Sequence, residues 1–145
     1  MQGSNESIYN KHRDDLIRYA ASLVGPDRAE DVLSAVIVRV LAMGGLTQLQ
    51  EPRPYLFKSV LNEARSVLRE RPFGQLPDLA VRADDAGDRE LLQAVMALPA
   101  RQRAAVYLVF WEGETMAGAA DLMGCSSGSV KRYLHLAKRR LKGAL

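Results

Sequence analysis

Cysteine is almost missing from this sequence: Cys125 stands alone among 145 residues. One thiol forms no internal disulfide, and no CxxC or mixed Cys/His cluster supplies a zinc site. The two histidines, His12 and His135, lie near opposite ends of the chain, so neither can be argued into a nucleophile–base pair with Cys125 or a serine. The acidic groups Asp14-Asp15, Asp27/Glu30/Asp31 and Asp84-Asp85 lack Mg²⁺ or Ca²⁺ loop spacing and read as caps and solvated charge. A phosphate-cradling glycine loop is missing as well. Catalytic residues, metal and cofactor are therefore all expected to be none, and an enzyme is not expected. Long apolar runs are also lacking. The longest, Val32 to Met43, is interrupted by Ser34 and Arg39 and is too short to cross a bilayer. Met1 to Ser7 is polar, without the apolar stretch of a signal peptide. The expectation is a cytoplasmic protein with no membrane partner.

What is present is apolar material in quantity and charge in a telling place. Hydrophobic residues make up 48% of the chain, enough for a packed core. The formal net charge is only +3. Residues 1–70 hold nine Lys/Arg against nine Asp/Glu, residues 71–88 two against four, and residues 89–145 nine against four. The positive excess belongs to the C-terminal part, which suggests that this part meets a polyanion.

Helical periodicity runs through the sequence and no strand alternation stands out. A first helix is predicted from about Ser7 to Val24, with Ile8, His12, Leu16, Tyr19 and Leu23 at helical spacing and Gly25-Pro26 as its stop. A second is predicted from about Arg28 to Met43, with Asp27 as N-cap and Gly44-Gly45 as terminator. A third starts near Pro54 and ends about Glu70. Residues 71–88 carry two prolines, two glycines and an acidic bias, the composition of a linker. Four shorter helices follow, about Arg89 to Ala97, Ala100 to Glu112, Met116 to Met123 and Ser127 to Lys142. The expected fold is all-α, with two small helical modules: a three-helix bundle in 1–70, a linker in 71–88 and a four-helix unit in 89–145.

The sharpest local signal lies between Gly113 and Leu141. Met116, Ala119, Ala120 and Leu122-Met123 can be buried by one short helix, and Gly124 permits a left-handed turn after it. Ser126 or Ser127 can cap the next helix, and the small Gly128 lets its N-terminus approach a phosphate. On a wheel of 100° per residue, Val130, Leu134, Ala137 and Leu141 share one arc with Tyr133 at its edge. Lys131, Arg132, His135, Lys138, Arg139 and Lys142 gather opposite. This is the pattern of a recognition helix in a major groove, with Lys131, Arg132 and His135 reaching base edges and Lys138 and Arg139 holding phosphates.

The segment ALPARQRAAVYLVFWEGETMAGAADLMGCSSGSVKRYLHLAKRRL resembles region four of the extracytoplasmic-function RNA polymerase sigma factors. The likeness includes Leu98-Pro99, Arg101 and Arg103, Trp111-Glu112-Gly113, Ala119-Ala120 and Gly128-Ser129-Val130-Lys131. It implies a module that reads the duplex minus-35 promoter element through Ser127, Lys131, Arg132, His135, Lys138 and Arg139. Val109 stands where that family often places an arginine, and Gly118 where it has an acidic helix former; the glycine should cost about 1 kcal/mol of local helix stability.

The N-terminal part carries a second likeness. The second helix is apolar around most of its circumference (Val32, Leu33, Val36, Ile37, Val38, Val40, Leu41), so one of three helices must leave apolar surface uncovered. In the third, Phe57, Val60, Leu61, Ala64 and Leu68 form a core stripe, with Lys58, Asn62, Arg65 and Arg69 on another side. Taken alone, three cations around one amide suit an ordinary solvated face first, and otherwise a sugar-phosphate backbone with one unstacked base. Tyr9 to Met43, with Leu16, Tyr19-Ala20, Ala29-Glu30-Asp31 and Val38-Arg39-Val40, is similar to the start of sigma region two, and Pro54 to Arg71 to its end. The resemblance implies core RNA polymerase as partner, docked through Asp31, Ser34, Ala35, Val38 and Arg39. It further implies a melted minus-10 element read through Lys58, Asn62, Arg65 and Arg69, and an anti-sigma protein as a further partner. Ser34 and Ala35 replace the family's Gln-Glu or Gln-Asp pair, and Ala42 a common aromatic, which makes the docking surface more apolar. The alternatives are a helix-turn-helix regulator with altered polymerase docking, and an interaction module held by an anti-sigma protein.

Overall fold

A computed structural model describes residues 4–70 and 86–144. Helix α1 is Asn5–Val24, α2 is Pro26–Ala42 and α3 is Pro52–Glu70, with a short 3₁₀ turn at Leu46–Gln48. Helices α4 (Ala86–Met96), α5 (Ala100–Val106), α6 (Met116–Met123) and α7 (Ser127–Ala144) follow, and α5 runs into a π-helical turn at Tyr107–Trp111. Among the described residues there is no strand. The linker expected at 71–88 lies mostly outside the described residues; its last three positions belong to α4.

Caps explain where the helices begin and where expectation missed. Ser4 caps α1 by accepting from the Ser7 amide, 3.1 Å away, so the helix starts earlier than its apolar spacing suggested. Asp27 is not the N-cap of α2. Gly25 holds that position at φ 91°, Pro26 occupies the first turn, and Asp27 follows it there. Proline needs no amide partner at this point, and the carboxylate faces the positive helix end. The π turn is the other departure. The Glu112 amide reaches back five residues to the Tyr107 carbonyl at 3.0 Å, and the Tyr107 hydroxyl bonds the Glu112 carboxylate. This widened turn closes α5 and leaves Phe110 and Trp111 71% and 79% exposed.

One continuous core joins the N-terminal and C-terminal helices. Leu16, Tyr19, Ala20 and Leu23 of α1 meet Val32, Leu33, Val36 and Val40 of α2, and Leu56, Phe57, Val60, Leu61 and Ala64 of α3. The same core continues into Ala104, Ala105 and Leu108, then Ala119, Ala120, Leu122 and Met123, then Val130. Helix α6 packs on α3, and α5 touches both α1 and α3. Tyr19 is the hinge of this arrangement. Fully buried, its ring lies 4.9 Å from that of Phe57 and 6.0 Å from that of Tyr107, so it contacts both modules.

The Tyr19 hydroxyl is buried without a hydrogen-bond partner among the described residues, and burial raises its pKa. An unpartnered buried hydroxyl costs about 1–3 kcal/mol, whereas the ring packs on both sides. Tyr19→Phe should therefore leave stability unchanged or raise it in urea unfolding, while Tyr19→Ala should lose roughly 3–5 kcal/mol. A loss above about 1 kcal/mol in the phenylalanine variant would show that the hydroxyl is satisfied.

Candidate nucleic-acid interface

The C-terminal surface is built on a helix pair with a tight turn. Thr115 caps α6 by accepting from the Gly118 amide at 2.9 Å. Gly124 ends it in the left-handed region, φ 72° and ψ 38°. An added Cβ there would be strained at this φ and would lie 2.6 Å from Cδ of Lys58, so the lysine side chain would have to move aside. Ser126, rather than Ser127, caps α7, its Oγ accepting from the Ser129 amide at 3.1 Å. Ser127 is the exposed first residue of that helix, and Gly128 beside it is exposed too.

Helix α7 presents the two faces that the wheel requires. Val130 and Ala137 are buried, and Tyr133, Leu134 and Leu141 are half-buried. Lys131, Arg132, His135, Lys138, Arg139 and Lys142 are all exposed, and Arg140 adds a cation not placed in the outward set from sequence. The result is a helix seated by its aliphatic side with its cations in solvent, a geometry able to enter a major groove.

The row on α3 is less open than its sequence suggests. Lys58, Asn62 and Arg69 are exposed and only Arg65 is half-buried. The aliphatic part of Lys58 lies against Gly124 in the turn before α7. Arg65 sits near Arg101 at the start of α5, and burial, Arg101 and Arg69 together lower its pKa. The C-terminal helices thus press on the row at Lys58 and at Arg65 and leave Asn62 accessible between them.

On α2, Asp31, Ser34, Val38 and Arg39 are exposed and Ala35 is half-buried. Val38 is 65% exposed, Leu41 47% and Met43 56%. A groove of about 300 Å³ between α1 and α2 is lined by Tyr9, Ser34, Ile37, Val38, Leu41 and Leu46. Arg39 is not free, since its guanidinium pairs with Glu63 of α3.

Polar bridges that sequence reasoning missed tie the two halves together. Arg53 reaches Asp15 at 2.8 Å and Glu114 at 3.9 Å. Arg18 meets Asp15 at 2.5 Å and Glu112 at 3.7 Å. The Arg53 hydrogen bond holds the Asp15 carboxyl below its usual range. Arg53 also lies 4.7 Å above the Phe57 ring. Arg18–Asp15 is an ordinary i,i+3 pair, but no local spacing announces the two that cross between the halves, Arg18–Glu112 and Arg53–Glu114. Among the described residues, no group of His, Cys, Asp and Glu has the arrangement to hold a metal ion, and no helix is long and apolar enough to cross a membrane.

Two helical modules with a helix-turn-helix and an outward basic helix define a DNA-binding protein. The family model described as Sigma-70, region 4 matches residues 88–141. The RNA polymerase sigma-E factor of Streptomyces avermitilis is 33% identical over 97% of this chain and 84% of its own length. That of Streptomyces coelicolor is 34% identical, over 97% and 85%. The ECF RNA polymerase sigma factor SigM of Mycobacterium tuberculosis is 27% identical over 94% and 74%. The chain belongs to the extracytoplasmic-function family of RNA polymerase sigma factors. The sigma factor RpoE of Bartonella quintana, solved in complex with the anti-sigma factor NepR, has the same fold: TM-score 0.65 at 23% identity, covering 96% of this chain and 94% of that one.

Because Lys131 and Arg139 are exposed, their replacement should leave folding intact. Lys131→Ala should weaken binding to a cognate duplex by about 1–3 kcal/mol and relax base preference; Arg139→Ala should weaken all sequences alike and reduce the salt slope by about one. Duplex titrations at several salt concentrations check this. Identical behaviour of the two variants would refute the division between bases and phosphates.

Proposed function

We infer that this chain binds core RNA polymerase and directs promoter-specific transcription initiation, without catalytic chemistry of its own. The observation that carries this reading is α7, seated by Val130 and Ala137 with its row of cations in solvent. We assign the minus-35 duplex to Ser127, Lys131, Arg132, His135, Lys138 and Arg139, and the melted minus-10 strand to Lys58, Asn62, Arg65 and Arg69. Polymerase docking is assigned to Asp31, Ser34, Ala35, Val38 and Arg39 beside the groove between α1 and α2. The uncovered Val38, Leu41 and Met43 favour docking over the alternative of a regulator that never meets polymerase: an apolar edge of this kind calls for a partner. Such work takes place in the cytoplasm, where polymerase and genome are. The RpoE–NepR complex supports an anti-sigma protein as the further partner. The domain limits that go with these roles are 1–70 and 89–145, the second lengthened by the three residues through which α4 extends into the linker.

Size adds a condition. The two promoter elements lie about 25 base pairs apart, roughly 85 Å at 3.4 Å per step. A compact chain of 145 residues has a radius of gyration of about 15 Å and is roughly 40 Å across. The closed arrangement therefore reads one element at a time, and both together only after the modules part along the contact of α5 and α6 with α1 and α3.

Purified chain should co-migrate with core polymerase and support initiation from specific fragments of a genomic library; binding duplex DNA without forming that complex would sink the reading. Asn62→Ala should reduce permanganate reactivity of the opened strand more than it reduces duplex binding. Fluorophores on exposed positions of α2 and α7 should move apart by tens of ångströms when the polymerase–promoter complex forms. An unchanged separation in an active complex would contradict module parting.

A further inference from the structure

A cleft at the junction of the two modules has a composition that promoter reading does not explain. Its volume is about 360 Å³, and its walls are Arg65, Leu68 and Arg69 from α3 together with Met96, Leu98 and Arg103 around the α4–α5 turn. Among the described residues, no carboxylate lines it. Arg101, in the first turn of α5, lies close enough to Arg65 to oppose its charge, as does Arg69. Among the described residues, no acidic group stands within ion-pair distance of Arg65, Arg69 or Arg101, although seven such contacts occur elsewhere. Arg103 is 3% exposed, donates from Nη1 to the Met96 carbonyl at 2.6 Å, and its pKa is pushed down to about 10 by burial and by Arg28.

Closing the modules thus brings like charges together in a partly dehydrated place, which opposes closure. The arginines come from both sides, and guanidinium groups favour planar, bidentate contact with phosphate oxygens. We propose that this cleft binds a small, multiply charged phosphate anion, which bridges α3 to the start of α5 and holds the modules together. A DNA duplex is far wider than the gap, and the cleft ceases to exist once the modules part, so a free anion suits it better than promoter DNA. Because the same anion covers Arg65 and Arg69, its binding competes with use of α3 on DNA. The anion site itself stands without the promoter assignment, since binding is read on the free chain.

The test is calorimetric titration of the full chain with inorganic pyrophosphate, without divalent metal, at fixed ionic strength and against sodium sulfate as control. Saturable one-site binding is expected, with sulfate much weaker. Arg101→Gln should weaken it severalfold by removing a positive charge beside the cleft rather than a lining contact, and Arg101→Lys should recover most of that. A Lys138→Gln/Arg139→Gln variant, altered only on α7, should bind within about twofold of the parent. Heats equal to those of sulfate, or equal loss in the α7 variant, would overturn the proposal as mere attraction to a basic protein. A short single-stranded oligonucleotide that binds more tightly than pyrophosphate, and loses as much in Arg101→Gln, would also overturn it, in favour of nucleic-acid phosphate. Circular dichroism of Arg101→Gln, whose altered side chain is exposed, separates lost binding from lost folding.

Discussion

Burial of Tyr19 between Phe57 and Tyr107 is the contact around which the molecule is arranged. It places α1 against α3 within one module and against the end of α5 across the junction. A tilted aromatic pair adds about 0.5–1.5 kcal/mol beyond the area it buries. The ion pairs around it are weaker devices. Arg18–Glu112 and Arg53–Glu114 are long and partly solvated, and pairs of that kind contribute about 0–1 kcal/mol each. Apolar packing by Leu108, Leu122 and Met123 therefore carries most of the closure, while the charged groups set the register of one module on the other.

That balance suits a protein whose two reading surfaces must work far apart. A junction whose core includes Ala104, Ala105, Ala119 and Ala120 beside the larger Leu108, Leu122 and Met123 is tight enough to define one closed form. It also keeps few directional bonds that would have to break on opening. The arginine cleft adds an opposing term, because Arg101 comes close enough to oppose the charge of Arg65 when the modules meet. Closure is thus a difference between apolar attraction and cationic repulsion, and such a difference responds to whatever neutralises the cations.

Much of this was legible in the sequence because it is local. The buried arc of α7, the glycine turn at Gly124 and the short α6 all follow from residues within a few turns of one another. Helix ends were less legible. Ser4 caps α1 through the Ser7 amide, and Pro26 opens α2; both lie just outside the apolar spacing that defines a helix on paper. The π turn had no signal, because it depends on how Tyr107 and Glu112 settle against Arg18 of another helix.

The basic row on α3 marks the boundary between the two kinds of information. Sequence alone determined that Lys58, Asn62, Arg65 and Arg69 share a face, since a helix repeats every 3.6 residues whatever surrounds it. Only the tertiary structure decided that Lys58 would lie against Gly124 and Arg65 beside Arg101. Periodicity is a property of one helix and is written in its own residues. Which helix comes to cover that face is settled by packing between segments far apart in the chain, through shape and apolar area that no short stretch encodes.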